Sequence, residues 1–178
     1  RRSSDLAGAG SASVLDHELQ VNADRYTPAD ATLIPTGAIE SVAGTPLDFR
    51  TPELIGARIG ALDDTSALGY DHNYAVRSSA LEGGSEAVMA AGPVAVLTDP
   101  ASGRTLELFT DQPGLQFYSG NFLKGDSGKG GAVYAHRSAC CLETQGYPDA
   151  INEPGFPSVL LVPGEEYRQF TVHRFLAD

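Results

Sequence analysis

Short runs of alternating polar and apolar residues, broken every few positions by turn formers, constrain this chain more than any other feature. The runs lie at 19–23, 87–89, 94–98, 105–110, 115–118, 159–162 and 166–175, and several alternate with period two. Period two puts every second side chain on the same face of a strand, so each run can bury one side and wet the other. Twenty Gly and 11 Pro among 178 residues supply turns at that spacing and leave little room for long helices. The segment 99–103, Asp-Pro-Ala-Ser-Gly, reads as a hairpin connection. The one short helix expected spans 52–59, with Thr51 as its cap and Pro52 in its first turn. The pattern predicts an all-β protein with many antiparallel strands, a sandwich or a large barrel.

A chain of this length can bury one sizeable core, and no linker or internal repeat divides it. A net charge of −11 and a pI near 4.6 argue against nucleic acid and anionic membrane as partners, since both need basic patches. No apolar run approaches the ~20 residues of a membrane span. The opening Arg1-Arg2-Ser3-Ser4 is followed by no apolar segment of a secretory signal. Cys140 and Cys141 are adjacent, a strained geometry for a disulfide, so a reduced, cytoplasmic protein is expected. The Gly-rich stretch 125–131 lacks the residue order of a phosphate loop and reads as a surface loop, as does Gly83-Gly84-Ser85.

Three blocks could carry chemistry. Glu143 follows the apolar approach Cys140-Cys141-Leu142, and no Lys or Arg lies between it and Arg168. It reads either as a strand-end glutamate facing solvent or as a partly desolvated carboxylate able to act as a general base. Asp71-His72-Asn73-Tyr74 places four hydrogen-bonding groups in a row, suited to a polar ligand such as a sugar or to a local Asx-turn. Residues 112–121 set Phe117 and Tyr118 among Gln112, Gln116 and Asn121. That mixture fits a sugar site, where rings stack and amides bond hydroxyls, or a hairpin with ordinary core aromatics. His17, His136 and His173 show no metal-ligand spacing, so no metal is assigned. No G-x-S-x-G occurs, and neither cysteine has an activating neighbour in sequence.

These blocks, in this order and rough spacing, resemble the galactose mutarotase (aldose 1-epimerase) family. Segments 17–28, 33–37, 45–50, 156–158 and 163–167 extend the resemblance over almost the whole chain from Leu6. The resemblance implies a large antiparallel β-sandwich of which residues 1–178 are the C-terminal portion of a single domain. It also implies cofactor-free interconversion of the α and β anomers of hexoses such as galactose and glucose. By resemblance Glu143 is the catalytic base, while Asp71 and Gln116 bind the sugar. The family's histidine acid sits in a stretch whose end matches Asp5-Leu6-Ala7-Gly8, and its position falls on Arg1. A missing N-terminal half would supply that acid, and the chain alone is expected to be inactive or nearly so. The alternatives are a non-catalytic carbohydrate-binding module and an inactive truncated product. Only 12 Lys and Arg occur, none clustered near these motifs, which favours neutral sugars over hexose 6-phosphates.

Overall fold

The computed structural model describes residues 3–8, 11, 13–76 and 84–177. In chain order the strands begin with β1 (Ser3–Ser4), β2 (Glu18–Val21), β3 (Arg25–Thr27), β4 (Glu40–Ser41) and β5 (Glu53–Leu54). They continue with β6 (Asp71–Ala75), β7 (Ala95–Asp99), β8 (Arg104–Thr110) and β9 (Gly114–Tyr118). The last are β10 (Asp126–Ser127), β11 (Val133–Tyr134), β12 (Cys140–Gln145) and β13 (Thr171–Ala177). One sheet has the order β1-β12-β9-β6-β3-β4 and a second the order β13-β8-β7-β2-β5, all pairs antiparallel.

The two sheets share one core, which makes the molecule a sandwich. Leu19, Val21, Leu97, Leu106 and Leu108 from the five-stranded sheet join Tyr74, Leu115, Phe117, Cys140 and Leu142 from the six-stranded sheet in a single buried cluster. Strand β7 shows the alternation the sequence implies: Ala95, Leu97 and Asp99 are buried, Val96 and Thr98 are half-buried. Aromatic rings fill the centre. Phe117 stacks on Tyr70 at 5.2 Å between centroids and meets Phe49 edge-on at 5.8 Å.

The hairpin at 99–103 forms as expected. Asp99 accepts backbone N–H groups of Ala101 and Ser102 at 3.3 and 3.1 Å, and its carboxyl is held below the usual range first by the Ser102 side chain and then by these backbone bonds. Other local expectations are corrected, among them the run 166–175, which is a strand only from Thr171. Residues 52–59 hold β5 and the start of two single-turn 3₁₀ helices, Ile55–Ala57 and Ile59–Leu62. The backbone there is engaged elsewhere: Ile55 and Gly56 donate to the carbonyls of His17 and Leu15, so no α-helix propagates. The run 87–89 lies within an α-helix, α1 (Gly84–Ala90), which also claims Gly84 and Ser85 of the expected loop; Gly83 lies outside the described residues. Its one buried residue is Val88, and Gly92 at φ +91° ends it with a bond to the Met89 carbonyl. The stretch 125–131 carries β10, which pairs with β11, but remains largely exposed. Residues 159–162 form no strand among the described residues; Leu160 is 67% exposed.

Apolar exposure is concentrated toward the C-terminal end. Val159, Leu160, Leu161, Val162, Tyr167 and Phe175 are all half or more exposed. Exposed apolar side chains, where they adjoin, usually mark a surface that something covers. Among the described residues no helix is long and apolar enough to cross a membrane.

Candidate active site

Three central strands of the six-stranded sheet, β6, β9 and β12, lie side by side and fix the site by register alone. Asn73 pairs with Gln116 and Gln116 with Glu143, so these three residues form one row across the sheet. Two residues along, Asp71, Tyr118 and Cys141 form the next row on the same face. By the two-residue pleat, Asp71, Asn73, Gln116, Glu143 and Gln145 share one face, and His72, Tyr74, Leu115, Phe117 and Leu142 share the core face. The apolar residues that anchor each strand therefore also aim its polar neighbours outward. Glu143 is half-buried, flanked on its strand by buried Leu142.

Hydrogen bonds tie this face together. The side-chain amide of Gln116 donates to Asp71 Oδ1 at 2.7 Å, a short bond to a carboxylate. Gln145 Nε2 donates to Asn73 Oδ1 at 3.3 Å and to Gln116 Oε1 at 3.5 Å. Asn73, almost fully buried, donates in turn to Thr27 Oγ1 at 3.2 Å. The structure thus gathers Asp71, Gln116 and Glu143 on one surface. It adds Asn73, Gln145 and Thr27, which sequence reading did not single out as a group. Their signal was available: once 116 and 143 are set opposite each other, period two places 73 and 145 on the same face.

Other residues of the sequence blocks serve the fold. Phe117 and Tyr74 are core residues, and Tyr74 donates its hydroxyl to the Leu47 carbonyl at 3.0 Å. Tyr118 is buried, stacks on Phe122 at 6.0 Å and accepts the Phe122 N–H at 2.8 Å. Asn121 donates to the carbonyls of Ala67 and Tyr70 at 2.9 and 2.8 Å, which shapes the turn leading into β6. Gly69, at φ +139°, is part of that turn, and a Cβ there would come within 2.3 Å of Asn121 Oδ1. A cavity of about 270 Å³ lined by Tyr26, Asp30, Leu33, Asp71 and His72, among others, opens beside Asp71, and its lining does not include Gln116 or Glu143. Among the described residues no group of three or more His, Cys, Asp or Glu side chains could hold a metal ion.

His72 gives the site a pH dependence. Its Nδ1 accepts the backbone N–H of Asp71 at 3.1 Å, which requires that nitrogen to be unprotonated. Burial pushes its pKa down from 6.5 to about 4. The unfolded chain therefore takes up a proton as pH falls below about 6.5, while the folded chain resists until about 4. Stability is expected to fall by about 2 kcal/mol from this residue between about pH 7 and about pH 5. Urea unfolding at the two pH values checks it: His72→Gln should flatten the decline, and an unchanged decline would remove His72 as its source.

A protein-family model described as "Aldose 1-epimerase" matches residues 5–174. Galactose mutarotases from Pongo abelii and Homo sapiens are each 48% identical over 172 residues, covering 96% of this chain and 47% of the relative. The aldose 1-epimerase of Escherichia coli is 37% identical over 168 residues, covering 93% of this chain and 46% of the relative. A solved structure of a GalM/aldose epimerase homologue from C. elegans superposes with a TM-score of 0.80 at 30% identity, covering 94% of this chain and 48% of the other. The chain spans about half the length of the curated relatives it matches.

Proposed function

This chain belongs to the aldose 1-epimerase family, and from that premise we propose that it is the C-terminal portion of an enzyme that interconverts the α and β anomers of hexoses such as galactose and glucose. The observation that carries the reading is the Asp71–Gln116 hydrogen bond on the same polar face as Glu143, which pairs directly with Gln116. In this reading the Glu143 carboxylate takes the proton from the C1 hydroxyl. The bond between C1 and the ring oxygen breaks, its electron pair goes to that oxygen, and an acid protonates it. Rotation about C1–C2 and reclosure from the other face give the other anomer, with the protons returned. Asp71 Oδ1 is occupied by Gln116, which leaves Oδ2 to accept a sugar hydroxyl, and the bond holds both side chains where neighbouring hydroxyls can reach them.

The acid comes from elsewhere. The position expected for the family's histidine falls on Arg1, which lies outside the described residues. A preceding half, present in the relatives' length, would carry it, and the exposed apolar stretch from Val159 to Val162 with Phe175 suits such a neighbour. Neither cysteine forms a disulfide, which suits a reducing, cytoplasmic setting.

Polarimetry of freshly dissolved α-D-galactose and α-D-glucose tests the reading. This chain alone is expected to leave the spontaneous rate nearly unchanged, and a family-length polypeptide carrying it as its second half is expected to accelerate it. Acceleration by this chain alone, abolished by Glu143→Gln, would show that the acid is already present. No acceleration by the longer polypeptide would favour a non-catalytic carbohydrate-binding module.

A further inference from the structure

The side chain of Gln145 has two N–H bonds, and both are spent on the polar face: one on Asn73 Oδ1 at 3.3 Å, the other on Gln116 Oε1 at 3.5 Å. Both acceptors are oxygens whose own amide nitrogens donate onward, Asn73 to Thr27 Oγ1 and Gln116 to Asp71 Oδ1. The result is a one-way series, Gln145 to Gln116 to Asp71, in which every amide points its donor toward the carboxylate. A donor on an amide oxygen polarises that amide and strengthens its own N–H bond. A glutamine amide otherwise turns freely about its last torsion. Gln116 is gripped at both ends, and its nitrogen is held on the Asp71 side.

The backbone reserves room for this series. Gly114 sits between Ala75 and Gln145 in register, below the point where Gln145 crosses to Asn73. A Cβ at 114 would come within 2.5 Å of Asn73 Oδ1. No turn requires a glycine here, since Gly114 begins a regular strand and is not among the positive-φ glycines. Its missing side chain is what lets Asn73 and Gln145 meet.

We propose that Gln145 is a positioning residue that acts through Gln116, fixing the amide that orients Asp71 toward the sugar; the inference rests on the sugar-site reading above. Gln145 touches neither Asp71 nor the expected reacting atoms. Its contribution is to keep Gln116 from swinging out of line, with Asn73 and Gly114 as its seat.

The test uses a family-length polypeptide carrying this chain and two near-isosteric variants of it, Gln145→Met and Gln145→Glu, neither of which can donate either bond. Side-chain amide resonances are followed by nitrogen-correlated NMR, first without sugar and then during titration with D-galactose. Without sugar, both variants are expected to speed solvent exchange of the Gln116 side-chain amide by about tenfold, the worth of one lost hydrogen bond. Backbone amides of Leu142 and Thr144 should be unmoved, which separates loss of positioning from loss of β12. The galactose dissociation constant is expected to rise by about tenfold in both variants. Unchanged Gln116 exchange in both would overturn the proposal. Faster Gln116 exchange with no galactose response even in the unaltered polypeptide would uphold the positioning role and count against the sugar-site reading. An unchanged galactose affinity alongside faster exchange would overturn the functional half of the proposal.

Discussion

Replacing Glu143 with Gln is expected to lower the anomerisation rate of a family-length polypeptide carrying this chain by about 10²–10⁴-fold. The substitution keeps size and shape and removes the group proposed to accept the C1 proton. Glu143 is placed by the β9–β12 ladder, whose bonds are backbone bonds, and its strand is anchored by buried Leu142 next door. The melting temperature should therefore hold, and galactose affinity should change little compared with turnover. That split is the useful signature: a base affects kcat, whereas a binding residue such as Asp71 affects KM as well. A less than few-fold loss of kcat would assign the base to another residue.

Phe117→Ala is expected to destabilise the fold by about 3–5 kcal/mol, the usual cost of emptying a fully buried aromatic site. Phe117 has no solvent exposure and lies between Tyr70 and Phe49, themselves 5.1 Å apart. Its neighbours come from three parts of the chain: Phe49 from the long segment after β4, Tyr70 from the turn into β6, and Phe117 from β9. None of the three can collapse into the space without dragging its backbone, so the cavity should persist. Domains of this size have net stabilities of about 5–15 kcal/mol, so the loss is a large share of the total. Urea unfolding would show a lower midpoint with little change in slope. A shift worth less than about 1 kcal/mol would mean that the core repacks and that these rings are not its keystone.

The same residue shows why some features of the chain were readable in advance and others were not. Alternation over residues 94–98, 105–110 and 115–118 named strands correctly: β7 alternates in burial along its whole length, while β8 and β9 do so only around Glu107 and Gln116, each half-buried between two buried neighbours. It misled at 87–89, where Ala-Val-Met suits either structure and only Val88 is buried; the helix is decided by Ser85 and Glu86 before it and Gly92 after it. It misled again at 159–162, which is apolar enough for a core strand but has no strand beside it among the described residues. Apolar runs announce a wish to be covered and say nothing of who covers them. At the site, three acidic and amide residues were identifiable by resemblance, and the faces of their strands follow from parity. The sharing of Gln145 between Asn73 and Gln116 was not identifiable, because it depends on a missing Cβ at residue 114, 31 positions before Gln145 in the chain. The aromatics of residues 112–121 were open to two readings: Phe117 belongs to the core, whereas Tyr118 is buried on the face that carries Asp71.

The adjacent cysteines have a consequence of their own. Because they are neighbours on one strand, Cys140 points into the sandwich and Cys141 to the opposite side, in the row of Asp71. Cys140 is completely enclosed, its sulfur lies 3.7 Å from the Ser4 carbonyl, and burial pushes its thiol up to about 12. Since only a thiolate attacks an alkylating reagent, Cys140 can be tagged only when the two sheets part. Cys141 is also buried, but on the face of Asp71 and outside the core cluster. Two successive atoms of sulfur thus keep separate clocks, one running on the breathing of the site and the other on the opening of the whole molecule.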